Sequence, residues 1–148
     1  MNQQQFFFDS NIFIALVDAD DVHHARARSI LEEIEQQDGE IFASDVVLNE
    51  VMSALSRRCA EKKRSHTFVS LVEKFTRQLE GYPILCLYQM LPQCYQDVVK
   101  LTKKTDGRLS FHDCMIVLFL KEVREVRLVT FDKDFEETSV KRWSGSAK

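Results

Sequence analysis

Proline and glycine are scarce in this chain: its 148 residues include two prolines and four glycines. So few turn-formers argue against a turn-rich β-sandwich and fit helices joined by short connections. Long hydrophobic runs are also missing. The longest, CMIVLFL at 114–120, is far too short to cross a bilayer, so no membrane span is expected. The opening MNQQQFFFDSN puts no basic stretch ahead of its apolar residues and does not read as a secretory leader. The cytoplasm is the expected compartment. The four cysteines, Cys59, Cys86, Cys94 and Cys114, form no CxxC pair. They read as free thiols, with Cys86 and Cys114 buried in apolar runs, and not as disulfides or a zinc site. Nor is there an excess of basic charge. Twenty Lys and Arg against 23 Asp and Glu leave a net charge of −3, which excludes a domain that coats nucleic acid by charge alone. An acidic centre remains open, because a bound divalent cation reverses the local sign where a phosphate must approach.

What is present is a 45% hydrophobic composition, enough to give a chain of this length one sizeable core and hence a single domain spanning 1–148. FFFD at 6–9 reads as a short buried strand ending in an acid, and 10–17 as a brief apolar helix. Asp20 or Asp21 can cap a second helix, in which Ala27, Ile30, Leu31 and Ile34 share one face before Asp38-Gly39 ends it. EIFA at 40–43 is a second strand. Ser44 or Asp45 can cap a third helix over 46–60. Phe68, Leu71, Val72, Phe75 and Leu79 give a fourth, which Gly81 terminates. PILCLY at 83–88 reads as a third strand, 91–104 as a fifth helix, and Ser110 opens a sixth through an S-x-x-D capping box with Asp113. Residues 126–129 make a fourth strand, and the polar tail at 139–148 has room for a short last one. Strands alternating with helices, their apolar residues unbroken, indicate a parallel sheet covered on both sides.

Four acids stand at informative places. Asp9 and Asp132 each follow a buried strand directly. Ligands of open parallel sheets gather at the carboxyl ends of the strands, so the two meet there if their strands are neighbours. Asp113 lies in the first turn of a helix, where free N–H groups favour an anion. Glu50 is level with Val46 and Ala54 and interrupts an otherwise apolar helix face. Each has an ordinary explanation: a cap for Asp9, a capping-box partner for Asp113, a turn former for Asp132, a solvated residue for Glu50. One site accounts for all four. Oxygen donors in this number suit Mg²⁺ or Mn²⁺, whereas zinc would call on His or Cys. His23, His24 and His66 have no paired acid at ligand spacing. His112, next to Asp113, reads equally as a substrate contact or as a structural residue. There is no G-x-S-x-G elbow and no Gly-rich phosphate loop.

Four segments taken together, FFFDSNIFIAL (6–16), VVLNEVMSAL (46–55), SFHDCMIVLFLKE (110–122) and LVTFDKDF (128–135), resemble the PIN-domain family. The similarity is closest to its small toxin ribonucleases from bacterial and archaeal toxin–antitoxin pairs, and the segments follow the family order. The resemblance implies an α/β three-layer fold, with a central parallel sheet of four or five strands between helices. It implies that Asp9, Glu50, Asp113 and Asp132 are the metal-binding, catalytic residues of a Mg²⁺- or Mn²⁺-dependent endoribonuclease leaving a 5′-phosphate and a 3′-hydroxyl. Asn11 and Thr130 match the small polar residues lining such a pocket, Asp134 a secondary acid, and Ser110 the hydroxyl before the third acid. Asp45 departs from the pattern, since relatives often carry a small residue or proline there; it reads as a cap or as an added charge at the site.

Two basic clusters are candidates for gripping RNA: Arg57, Arg58, Lys62, Lys63 and Arg64, then Lys100, Lys103, Lys104 and Arg108. A charge run is as readily a solvated face. The resemblance further implies a homodimer, with the second and fourth helices as candidate surfaces, and a cognate antitoxin protein that silences the site. The alternatives are a PIN nuclease of RNA processing that has no antitoxin, and a catalytically silent PIN module that binds RNA or protein.

Overall fold

Three consecutive phenylalanines set the centre of the molecule. Successive strand residues point to opposite faces of a sheet, and Phe6, Phe7 and Phe8 are all fully buried. Both faces of the first strand must therefore be covered. In the computed structural model, which describes residues 3–145, they are. Phe8 meets Phe13 with ring centroids 5.6 Å apart, and Phe7 meets Phe119 from the other side at 6.1 Å.

That strand, β1 (Gln5–Phe8), lies between β2 (Glu40–Ser44) and β4 (Val126–Val129), with β3 (Ile84–Leu85) outside β2. The order is β3-β2-β1-β4 and every pairing is parallel. Parallel neighbours need long crossovers, which here are helical. Helices α1 (Ser10–Val17) and α2 (His24–Gln36) link β1 to β2. Helices α3 (Asp45–Glu61) and α4 (Phe68–Gln78) lead to β3, and α5 (Leu91–Lys104) and α6 (Phe111–Glu122) lead to β4. The expected α/β arrangement holds, with four strands among the described residues.

Several details follow from local chemistry. Ser44 caps α3 by accepting the Val47 N–H at 3.2 Å. Ser110 and Asp113 close the expected capping box on α6. Asp21 does not cap α2 directly; it accepts the N–H of His23, the residue at that helix's N-cap. In α4, Leu71 and Phe75 are buried, and Phe75 sets its edge against Phe13 of α1 at 5.4 Å. Its apolar stripe thus covers α1, leaving Val69 outside it and exposed.

Two sequence expectations are corrected. The strand expected over 83–88 shrinks to Ile84–Leu85, and Leu87–Met90 forms a 3-10 turn. The cause is Asp45, whose carboxylate takes the N–H groups of Leu87 (2.9 Å) and Tyr88 (3.2 Å) and so draws the backbone away from the β2 ladder. Cys86, expected inside, is exposed, while Cys59 and Cys114 are buried and all four thiols are free. The tail contributes one parallel bridge, Leu128 to Arg142, along the outer edge of β4; residues 146–148 of the expected last segment fall outside the described range. Among the described residues no helix is long and apolar enough to cross a membrane.

Gly39 is required at the α2–β2 connection by lack of space. A Cβ there would stand 2.7 Å from both Ile34 Cγ2 and Phe6 Cε2, two fully buried side chains. Gly39→Ala is expected to destabilise the protein by about 1–3 kcal/mol, measured by urea unfolding, with an unchanged m-value.

Candidate metal centre

Strand register decides where the acids go. Phe8 pairs with Val129, so the next residues, Asp9 and Thr130, leave the sheet side by side, and Asp9 N–H donates to Val129 O at 3.1 Å. Asp9 is 3% exposed, and a carboxylate so placed needs donors. It has three: Ser10 N–H on Oδ1 at 2.7 Å, and the Thr130 hydroxyl (2.7 Å) and Asn11 amide (3.1 Å) on Oδ2. Asn11 also donates to Thr130 Oγ1 at 2.9 Å and accepts the Phe131 N–H at 3.0 Å. Thr130 Oγ1 further accepts the Asp132 N–H at 3.0 Å. The network locks the ends of β1 and β4 to each other.

From β2 the chain enters α3, whose second turn carries Glu50. From the other side α6 begins at the same edge of the sheet and brings Asp113 in its first turn. One oxygen each from Asp9, Glu50 and Asp113 lie within 4.8 Å of one another. Asp113 Oδ2 accepts the Ser110 N–H at 2.8 Å, so the capping role and a place in the cluster coexist. Glu50 Oε1 is 3.5 Å from His112 Nδ1, and Glu50 Oε2 is buried with no hydrogen-bond partner.

Such crowding favours protonation. Burial pushes the Asp9 carboxyl up to about 7, against the Thr130 bond and with help from Asp113 and Glu50. Burial and the neighbouring Asp113 push Glu50 up to about 7 as well. Asp113 is raised by burial, with Asp132 adding to it and the Ser110 bonds opposing. Asp132 therefore acts on the cluster electrostatically, yet it is not in the group of three. Its Oδ1 accepts the Asp134 N–H at 2.8 Å, capping a 3-10 turn, and Asp134 is exposed.

The basic residues divide by partner. Arg64 grips buried Asp18 through both guanidinium nitrogens and reaches Asp20 at 2.7 Å, while Arg58 pairs with Asp21 at 2.5 Å. These bonds tie the loop before α2 to the end of α3. Arg108 pairs with Glu137 at 2.6 Å. Arg57, Lys62, Lys63, Lys100, Lys103 and Lys104 are exposed. Asp45 has both oxygens engaged by backbone N–H groups of Val46, Leu87 and Tyr88, which makes it a clamp on the Leu87–Met90 turn. Sequence reasoning passed over Ser10, whose hydroxyl partly opposes the rise of the Glu50 pKa, and Tyr88, which bonds His112 at 3.1 Å. Neither has a spacing signal; both depend on tertiary placement.

The family model for the PIN domain matches residues 6–141. No curated protein sequence matches the chain significantly. Several solved structures share its fold. The Mycobacterium tuberculosis toxin VapC20, described as cleaving the sarcin-ricin loop, aligns with a TM-score of 0.69 at 19% identity, over 92% of this chain and 96% of that one. VapBC2 from Rickettsia felis, bound to a promoter DNA fragment, gives 0.65 at 17% identity, over 93% and 95%. DNA-bound VapBC from Salmonella typhimurium gives 0.60 at 17% identity, over 95% and 96%.

The raised carboxyl groups have a consequence for stability. Asp9 and Glu50 hold protons in the folded state at pH values where the unfolded chain has released them. The metal-free protein is therefore expected to lose stability from these groups as pH rises from about 4 through 7. Glu50→Gln removes one ionisation without removing a hydrogen bond to Oε2. Its thermal midpoint should exceed wild type by a few degrees at pH 8 and match it near pH 5 in calorimetry; an equal gain at both pH values would contradict the assigned cause.

Proposed function

Since the chain belongs to the PIN-domain family, we propose that its cluster of Asp9, Glu50 and Asp113, with Asp132 as a fourth acid, holds Mg²⁺ or Mn²⁺ and hydrolyses RNA phosphodiester bonds within a single nuclease domain. The observation that carries this reading is Glu50 Oε2, buried and unpartnered beside two other carboxylates. A buried acceptor with no donor is costly, and a cation would answer it together with the repulsion among the three acids. The donor set fits a hard divalent ion, being all oxygen with neither imidazole nor thiolate in the group.

When bound, the ion would acidify a water and offset the negative charge that builds on the phosphoryl oxygens. The protein's own residues do the rest. Thr130, Asn11 and the Ser10 N–H hold the Asp9 carboxylate, two of its lone-pair positions being committed on Oδ2 and one on Oδ1. The Ser110 N–H fixes one oxygen of Asp113 and leaves the other for the cluster. Asp132 adds negative charge at the α6 side. Arg57 and the exposed lysines of both clusters supply the phosphate grip, whereas Arg58 and Arg64 serve the fold. The products are a 5′-phosphate and a 3′-hydroxyl.

The further reading is that this nuclease is the cytoplasmic toxin of a toxin–antitoxin pair, acting as a homodimer and silenced by its antitoxin. Similarity in fold to toxin structures supports it. Induction in a bacterial host should arrest growth, and co-expression of a cognate partner should relieve the arrest; a monomer in light scattering, with neither arrest nor partner, would leave the nuclease without the toxin role.

For the chemistry, purified wild-type protein should cleave RNA only with Mg²⁺ or Mn²⁺ present. Asp113→Asn keeps an oxygen for the Ser110 N–H, so the helix cap survives. Activity should nonetheless fall on the order of 10²–10³-fold or more, the scale of losing one preorganised electrostatic group at a reacting phosphate. Full activity in that variant, assayed beside wild type from the same preparation, would rule out the proposed site.

A further inference from the structure

Tyr88 is a large aromatic left 39% exposed, yet its backbone and its hydroxyl are both tied down. Asp45 holds its N–H. Its hydroxyl lies 3.1 Å from His112 Nε2 and 3.4 Å from the Asn49 amide nitrogen, and its ring meets the imidazole edge-on with centroids 5.8 Å apart. The other imidazole nitrogen, Nδ1, faces Glu50 Oε1 at 3.5 Å. Asn49 and Glu50 are neighbours on α3, so the path leaves that helix and returns one residue later.

With Glu50 ionised, the ends of this path permit one direction of donation through a neutral imidazole. The Asn49 amide nitrogen only donates, and the ionised Glu50 carboxylate only accepts. If Nδ1–H faces the carboxylate, a neutral imidazole must accept at Nε2. The Tyr88 hydroxyl then gives its proton to Nε2 and takes the Asn49 amide on its oxygen. In this order each donor along the path faces an acceptor, the Nδ1 to Oε1 step being the longest at 3.5 Å.

We propose that Asn49, Tyr88 and His112 form a one-way chain of donors that orients the Glu50 carboxylate, with Asp45 anchoring it through the Leu87–Met90 turn. Oε1 is held by His112, and Oε2 is left for the cluster with Asp9 and Asp113. Tyr88 and His112 are positioning residues: outer partners that fix a ligating carboxylate raise metal affinity because the ligand no longer has to be ordered on binding. The proposal rests on reading the cluster as a cation site.

The test has two arms, each on full-length protein. In the metal-free form at pH 8 and above, where the Glu50 carboxylate is ionised, ¹⁵N NMR should find the His112 proton on Nδ1, and Tyr88→Phe, which keeps the ring and removes the hydroxyl, should shift it toward Nε2. By calorimetric titration with Mn²⁺, Tyr88→Phe should weaken binding about 10-fold with the thermal midpoint unchanged. His112→Asn, which retains an N–H near the Nδ1 position, should bind more tightly than His112→Leu. A proton on Nε2 in the wild type, or Mn²⁺ binding undiminished in Tyr88→Phe, would overturn the chain. Absence of Mn²⁺ binding in the wild type would instead remove the cation site, and the tautomer measured without metal would still decide whether the chain exists.

Discussion

A carboxylate with 3% of its surface exposed, standing beside two more, raises the free energy of the folded chain, and the β1–β4 ladder is what keeps it there. The ladder delivers Asp9 and Thr130 to one point, and the Thr130–Asn11–Asp9 bonds then join the strand ends. Everything else at the site is arranged around this fixed corner. Helix α3 comes off β2, the other neighbour of β1, and α6 leads into β4, so each brings one acid to the same edge. The unfavourable charge is confined to a few residues while some thirty apolar side chains are buried in a continuous core. A fold with that margin tolerates an acidic cluster that a smaller core would not.

Two kinds of charge arrangement coexist in the molecule. Asp18 is as buried as Asp9, and burial is the largest single influence on it, but the bonds from Arg64 and the Asp20 N–H, with the charges of Arg64 and Lys62, together lower its pKa. Asp9 and Glu50 face other acids and are raised. The first arrangement is self-sufficient and holds loops to helices. The second has no balancing charge within the cluster itself, and raised carboxyl groups of that kind gather at functional sites more than in structural ion pairs. That contrast also sorts the basic residues, since guanidinium groups spent on Asp18, Asp20 and Asp21 are poorly placed to serve a passing phosphate.

Much of this was legible in the sequence because the signals were local. The unbroken FFF run, the S-x-x-D box before α6 and the helical spacing in α4 each depend on near neighbours, and the elements they announce appear within a residue or two of the expected bounds. The placement of Asp9 beside β4 could be anticipated from the carboxyl-end rule for parallel sheets. What escaped were side-chain claims on distant backbone. Asp45 captures N–H groups some 42 positions away and cuts short a strand whose own residues favoured it. Likewise nothing in the spacing of Arg58 and Arg64 distinguishes a phosphate clamp from an internal ion pair until Asp18 and Asp21 are seen opposite them. For Asp132 the turn-forming role that the sequence also offered is present, its Oδ1 accepting the Asp134 N–H, while its charge still acts on Asp113.

The bonds that hold Asp9 in place reach 119 and 121 positions along the chain. During synthesis, a nascent polypeptide that has emerged only as far as α6 already carries Asp9, Glu50 and Asp113, but it has neither β4 nor Thr130 to hold them together. Long-range pairings of this kind form late, after the entropy of closing a large loop has been overcome. The three acids are therefore not fixed against one another until β4 has been made and has paired with β1.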